Sequence, residues 1–177
     1  ESVGPATLRE SVTAYGNIVA DQAGLSHVSA RFEGVIQSVN ASLGETIKKG
    51  RRRATIEAND SLNTYSVVAP ISGTIVERHA NPGESTSGRK LFTILNTSVV
   101  WAELAIFPAN LPRVKIGSPV RIESALGDVG IEATVSQLVP TITDDQSVTA
   151  RVRIDNVDGR LFPGSYVTAE VGVAEYE

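Results

Sequence analysis

Cysteine is absent from this 177-residue chain, which excludes disulfides and thiolate chemistry together. Methionine is absent as well. That removes the thioether ligands expected of a Cu(I) or Ag(I) carrier, and the missing initiator points to a processed or trimmed chain. Aromatic residues make up only 5%, so a core has to rest on Val, Ile, Leu and Ala. Val and Ile are stiff about χ1 and favour strands. Long apolar runs are missing too: nothing approaches the roughly 18 residues of a membrane-spanning helix. Positive charge is scarce. A net charge of −4 offers no surface suited to phosphates, and no nucleic-acid partner is expected. The only basic run joins Lys48 and Lys49 to Arg51, Arg52 and Arg53, and it is read as a solvated loop.

What the sequence does have is a repeat. Gly34-Val35-Ile36 opens a run through Gly44-Glu45 to Lys49-Gly50. Gly73-Thr74-Ile75 opens a second run through Gly83-Glu84 to Ser87-Gly88. Gly34 and Gly73 lie 39 positions apart, as do Gly44 and Gly83, and Glu45 and Glu84. After a one-residue slip, Ala54-Thr55-Ile56 matches Phe92-Thr93-Ile94. Neither strand–turn–strand copy could bury its apolar face alone, so the two must pack together in one small β-domain. One position breaks the match. Arg53 stands where the second copy has Leu91, an odd choice for a core-facing site unless its stem lies on apolar surface and its head stays wet.

Alternation predicts strands near residues 11–21, 35–39, 46–50, 65–69, 74–79, 91–95, 99–106, 119–123, 130–139, 147–154 and 166–173. Gly16 is read as a bulge. A single helical turn is predicted within 107–114, where Pro108 suits a start and Pro112 limits the length. Loops are expected at 125–128 and 155–159. The fold class is therefore all-β. Residues 27–98 form the repeat domain and 99–174 a small antiparallel barrel or sandwich. Residues 1–26 carry the first strand of that second domain, so the repeat domain is an insertion in it.

Sites are few. The chain has no Ser-His-Asp order, no Gly-x-Ser-x-Gly elbow and no glycine-rich phosphate loop opening a helix. No catalytic residue is assigned, and the chain is not read as an enzyme. Glu77, His79 and Glu84 carry imidazole and carboxylate groups that suit Zn²⁺, and Glu77 and His79 share a strand face. An exposed strand end with ordinary polar residues explains them as well, and no metal site is assigned. His27, the other histidine, is separated from His79 by the whole first copy. Trp101 is read as a packing residue. Asp144, Asp145, Asp155 and Asp158 are read as loop acids, too sparse for Ca²⁺.

Several runs resemble one family. Ala69-Pro70-Ile71-Ser72-Gly73-Thr74-Ile75 looks like the lipoyl-like domain signature of periplasmic adaptors, also called membrane fusion proteins. Phe32 to Ile36 and Leu43 to Gly50 look like its partner motif. Glu77-Arg78-His79 with Pro82-Gly83-Glu84 is similar to the heavy-metal branch. Lys115 to Val120 and Phe162 to Val167 resemble the family's β-barrel. The resemblance implies a lipoyl-like sandwich (barrel-sandwich hybrid) inserted in a small antiparallel β-barrel. It implies a Gram-negative periplasmic subunit at the inner membrane, in a ring that is usually hexameric. There it links a proton-driven transporter of the resistance-nodulation-division superfamily to a TolC-like outer-membrane channel, for export of divalent heavy metals. A type I secretion adaptor paired with an ABC exporter is the near alternative. Two departures stand out. The family's α-helical hairpin is absent near 57–64, which puts channel contact in doubt for this chain. Residues 175–177 are read as a tail towards a missing membrane-proximal domain. A biotin or lipoyl carrier is the distant alternative, and it needs a lysine at the tight hairpin that here holds Asn59-Asp60. No cofactor is assigned.

Overall fold

The computed structural model describes residues 10–124 and 127–173, which form two compact units. One unit takes the described residues as far as Val19 together with those from Val99 onward. The other runs from Ala20 to Ser98. Apart from two short 3₁₀ turns, the regular structure of the described residues is all strand.

The discontinuous unit is one rolled sheet. Its strands are β1 (Ser11–Ala20), β9 (Val99–Ile106), β10 (Pro119–Ser124), β11 (Gly127–Thr134), β12 (Gln137–Ile142), β13 (Val148–Asp155) and β14 (Tyr166–Gly172). They lie in the order β11-β10-β14-β1-β9-β13-β12, so the first strand sits at the centre. Strict alternation sends one face inward. Val100, Ala102, Leu104 and Ile106 of β9 are buried, as are Ala150, Val152 and Ile154 of β13 and Val167, Ala169 and Val171 of β14. The single strand expected over 130–139 is two strands. Val135 leaves the ladder, its N–H donating to Ser118 O at 2.9 Å while Ser136 N–H donates to Arg151 O at 2.9 Å. That break lets the chain pass from one edge of the sheet to the other, which is how the sheet rolls. Gly16 is not a bulge against β14, where the register runs unbroken from Ser11 to Asn17. The expected turn shrinks to a 3₁₀ turn at Leu111–Arg113. The loop expected at 125–128 falls partly outside the described residues and the tail at 175–177 wholly so.

The continuous unit holds the repeat. Its strands are β2 (Leu25–Ser29), β3 (Gly34–Val39), β4 (Thr46–Ile47), β5 (Arg52–Ala58), β6 (Thr64–Val68), β7 (Gly73–Arg78) and β8 (Lys90–Leu95). They make two sheets, β2-β8-β7-β4 and β3-β5-β6. The backbone obeys the 39-residue period. Gly44 N–H donates to Ile75 O at 2.8 Å, and Gly83 N–H donates to Ile36 O at 2.7 Å. Ile36 N–H donates to Glu84 O at 2.9 Å, and Ile75 N–H donates to Glu45 O at 3.0 Å. Each bond has its mate across a pseudo-dyad. Gly44 and Gly83 both sit at positive φ, at 80° and 87°, where a side chain is disfavoured. The copies do more than stack. β2 of the first copy is the edge strand on β8 of the second, and β6 of the second is the edge strand on β5 of the first. Each copy thus completes the other's sheet around one core that includes Ile36, Ile56, Ile75, Ile94 and Phe92. The repeat also starts earlier than Gly34, because β2 and β6 begin 39 residues apart.

Candidate functional site

Three places carry the chemistry. The first is the turn between β5 and β6, where the ladder runs to Glu57 and Thr64. Ala58 N–H donates to Asn63 O at 2.9 Å and Leu62 N–H donates to Ala58 O at 2.9 Å. The chain reverses over Asn59–Asn63, and no helix intervenes. No lysine lies in that turn, so it offers no amine for a biotinyl or lipoyl amide. Tyr65 stands beside it. Its ring meets Phe32 edge to face with centroids 5.7 Å apart, and its hydroxyl both accepts from Phe32 N–H and donates to Phe32 O. Leu62 is strained, with φ 56° and a side chain left 73% exposed. A left-handed backbone costs a non-glycine residue about 1–2 kcal/mol. Leu62→Gly is therefore expected to raise stability by about 1 kcal/mol, read as a higher denaturant midpoint. A lower midpoint would show that the exposed leucine packs usefully after all.

The second place is a polar cluster on the outer face of β2, β8 and β7. Lys90 Nζ donates to Glu77 Oε2 at 2.6 Å, and Thr93 Oγ1 donates to the same oxygen at 2.6 Å. His27 Nδ1 lies 3.1 Å from Thr93 Oγ1. A hydroxyl has one proton. Thr93 gives that proton to Glu77, so His27 donates through Nδ1–H. His79 Nε2 is 3.9 Å from Glu77 Oε2 on the other side. The two histidines, far apart in sequence, thus connect to one carboxylate, His79 by facing it and His27 through Thr93. Hydrogen bonds from Lys90 and then Thr93 hold the Glu77 carboxyl down, from 4.5 to about 2, against a smaller desolvation effect that raises it. Glu84 is elsewhere. It accepts from Asn81 Nδ2 at 3.1 Å and faces Arg89 at 3.7 Å. The trio of Glu77, His79 and Glu84 is not assembled, and no group of three or more His, Asp or Glu placed to hold a metal occurs among the described residues.

This cluster yields a pH prediction. A carboxyl whose folded pKa is depressed stabilises the fold above its unfolded pKa, and that contribution is lost as pH falls through the folded value. For Glu77 the window runs from 4.5 down to about 2. Glu77→Gln is expected to flatten the acid limb of the stability curve over that window. Parallel curves for wild type and variant would show that Glu77 contributes nothing to acid sensitivity.

The third place is a pair of arginine contacts. Arg53, the misfit in the repeat, is 13% exposed at its side chain and bonds Glu45 Oε1 at 2.7 Å and Asn40 O at 3.1 Å. Its head is held by a carboxylate that the repeat also supplies, which is how it occupies the place of Leu91. In the rolled sheet, the Arg151 guanidinium carbon lies 4.4 Å from the Trp101 ring centroid and its Nε 3.1 Å from Glu103 Oε1. Trp101 is partly covered on the outer face instead of entering the core. These are packing contacts, and they bring no reacting atoms together.

Comparison with known proteins adds to this geometry. Residues 24–96 match the family described as CzcB-like, barrel-sandwich hybrid domain, and residues 99–175 match the CusB-like, beta-barrel domain. The cation efflux system protein CzcB of Alcaligenes sp. (strain CT14) is 34% identical over 154 residues, covering 85% of this chain and 29% of that protein. The cobalt-zinc-cadmium resistance protein CzcB of Cupriavidus metallidurans is 32% identical over the same length, with the same coverage. The chain thus spans less than a third of the length of these curated relatives. In fold, it resembles ZneB from Cupriavidus metallidurans, with TM-score 0.75, 19% identity, and coverage of 93% of this chain and 98% of that one. MacA from Actinobacillus actinomycetemcomitans aligns with TM-score 0.77 and 14% identity over 96% of this chain and 80% of that one.

Proposed function

Because the chain belongs to the membrane fusion (periplasmic adaptor) family, with a CzcB-like barrel-sandwich hybrid domain and a CusB-like β-barrel domain, we propose that it is the adaptor of a tripartite efflux pump for divalent heavy-metal ions. It works in the periplasm at the inner membrane, as a ring of copies. It joins a proton-driven transporter of the resistance-nodulation-division superfamily to an outer-membrane channel. Its part is mechanical: the two β-units hold the conduit together and no bond is made or broken. One observation carries this reading. The similarity to cation efflux proteins runs through both units in one alignment, whereas the likeness to other adaptors is one of fold.

The test is genetic and quantitative. Deleting the gene in its host is expected to raise cell-associated zinc, cobalt or cadmium and to lower resistance as far as deleting the neighbouring pump does. Loss of a secreted product with metal resistance intact would instead assign the chain to an ABC exporter. Wild-type metal content after deletion, with the pump deletion still sensitive, overturns the proposal.

A further inference from the structure

The outward side of the rolled sheet carries an open groove of about 910 Å³, a size that small-molecule sites share. Tyr15 of β1 and Tyr166 of β14 are diagonal neighbours there, since Tyr15 pairs with Thr168 and Asn17 with Tyr166. Diagonal pairs on one sheet face lie roughly 7–8 Å apart, within reach of aromatic side chains. The two tyrosines are 64% and 77% exposed, and neither side chain has a partner among the described residues. Phe107 lines the same groove and is 48% exposed. In a chain so poor in aromatics, three rings left in water on one surface mark a contact surface.

The charge around these rings has one sign. Glu103, Glu123, Asp144 and Asp145 line the groove, and no Lys, Arg or His does so among the described residues. Glu103 is paired with Arg151 and Glu123 has Arg121 at 3.8 Å, whereas Asp144 has no ion-pair partner among the described residues. Asp145 is fixed in place. Thr143 Oγ1 donates to its Oδ1, as do Ser147 Oγ at 2.7 Å and Ser147 N–H at 3.2 Å. The hydroxyl of Thr143, and after it that of Ser147, hold the Asp145 carboxyl below its ordinary value. All three bonds fall on Oδ1, which leaves Oδ2 to accept from a ligand. A metal ion fits poorly, because a hard cation takes several oxygens at once and no group of three or more His, Asp or Glu placed to hold one occurs among the described residues. An organic ammonium gains twice: tyrosine faces attract it, and a concave surface of one sign concentrates the opposite charge.

We propose that this groove is a binding site for a small organic ammonium cation with an apolar body. The Tyr15 and Tyr166 rings and the field of Asp144 and Asp145 hold the charged head, and Phe107 offers its ring to the body. A methylated ammonium suits the site best, because it has few N–H donors to satisfy and presents a broad, soft surface to the rings. The site is open and two-sided, so binding is weak and falls as salt screens the carboxylates. It stands apart from the metal-efflux reading. Its ligand is organic, every lining residue belongs to the rolled-sheet unit, and binding is measured on the purified chain, so either can fail without the other.

The test is titration calorimetry of the purified chain at low salt with benzyltrimethylammonium as the probe. Benzyl alcohol is the uncharged comparison, Zn²⁺ alone the metal comparison, and tetralysine the comparison for a basic segment of another protein. The wild-type chain is expected to bind the ammonium at one site and to bind benzyl alcohol far more weakly. Tyr15→Leu with Tyr166→Leu keeps apolar surface but removes the ring faces, and should weaken binding about tenfold. Tyr15→Phe with Tyr166→Phe keeps the faces and should bind within a few-fold of wild type. Asp144→Asn should weaken binding at low salt and change little at high salt. Circular dichroism checks folding first, and Tyr166→Thr, a good strand former, serves if the double leucine variant does not fold. No heat with the ammonium at concentrations up to tens of millimolar overturns the proposal. So does equal binding of benzyl alcohol, or affinity unchanged in the leucine variant, since the contact is then merely apolar or lies elsewhere. Displacement of the ammonium by equimolar Zn²⁺ overturns it in favour of a metal site, and binding of tetralysine without the ammonium overturns it in favour of a protein partner.

Discussion

Phe92→Ala is expected to lower the stability of the repeat unit by about 3–5 kcal/mol, the range for truncating a buried aromatic. Phe92 has no exposed surface. It lies on β8, paired with Val28 of β2 on one side and Arg78 of β7 on the other. The chain has only four Phe, and the other three are exposed by 48% or more. One ring therefore fills the centre of a core otherwise made of smaller aliphatic side chains. The strands around it come from both copies and are held by reciprocal bonds across the pseudo-dyad, so collapse into the cavity would have to move both sheets. Amide exchange at Ile36 and Ile75 reports this unit directly. Phe162→Ala is the control, since that ring is 61% exposed and an ordinary surface change stays within about 0.5 kcal/mol. A loss under about 1 kcal/mol for Phe92→Ala, no larger than for a single trimmed methylene, would mean that the core closes over the gap.

Gly16→Ala is expected to destabilise the rolled sheet by about 3 kcal/mol or more, at or beyond the upper end for overpacking. A Cβ at this position would lie 1.8 Å from Glu103 O, 2.7 Å from its carbonyl carbon and 3.0 Å from Leu104 Cα. All three atoms are backbone, so no side chain can swing aside. Relief requires β1 to separate from β9, and β1 is the central strand of the seven. The single Trp of the chain, Trp101, lies on β9, so its fluorescence follows this unit through a denaturant titration. Gly44→Ala makes an informative contrast. A Cβ there meets nothing within 4 Å, and its cost of about 1 kcal/mol comes from the positive φ alone. Equal midpoints for Gly16→Ala and wild type would show that the two strands can part without penalty.

Much of this architecture was legible in the residues. The 39-residue period identified the repeat, and it reappears as mated hydrogen bonds at Gly44 and Gly83. Alternation in Val99 to Ile106 located β9 to the residue. The family signatures placed the lipoyl-like and barrel folds in their correct order. Other features were hidden because they depend on partners distant in sequence. Gly16 gave no sign of its constraint, since nothing in its neighbours reveals the backbone of Glu103. The strand over 130–139 looked continuous, because alternation does not register a pair of bonds to Ser118 and Arg151. Arg53 looked misplaced until Glu45 was found beside it. His27 and His79 looked unrelated. A clue was present in the period itself: His27 stands opposite Thr93 as Ser66 stands opposite Thr55. Using it required knowing that each copy lends its edge strand to the other.

By itself, then, the order of residues determined the local and periodic features: most of the strands though not β2 or β5, where glycine turns recur, and that two copies must share one core. These follow from side-chain stereochemistry and apolar spacing, which act over a few residues. Tertiary structure alone decided that the copies exchange edge strands, that both histidines connect to Glu77, one of them through Thr93, and that an acidic groove with exposed tyrosines forms across β14, β1 and β9. Charge and contact fall off with distance in space, and the distance between residues far apart in the chain is set only once the sheets have closed.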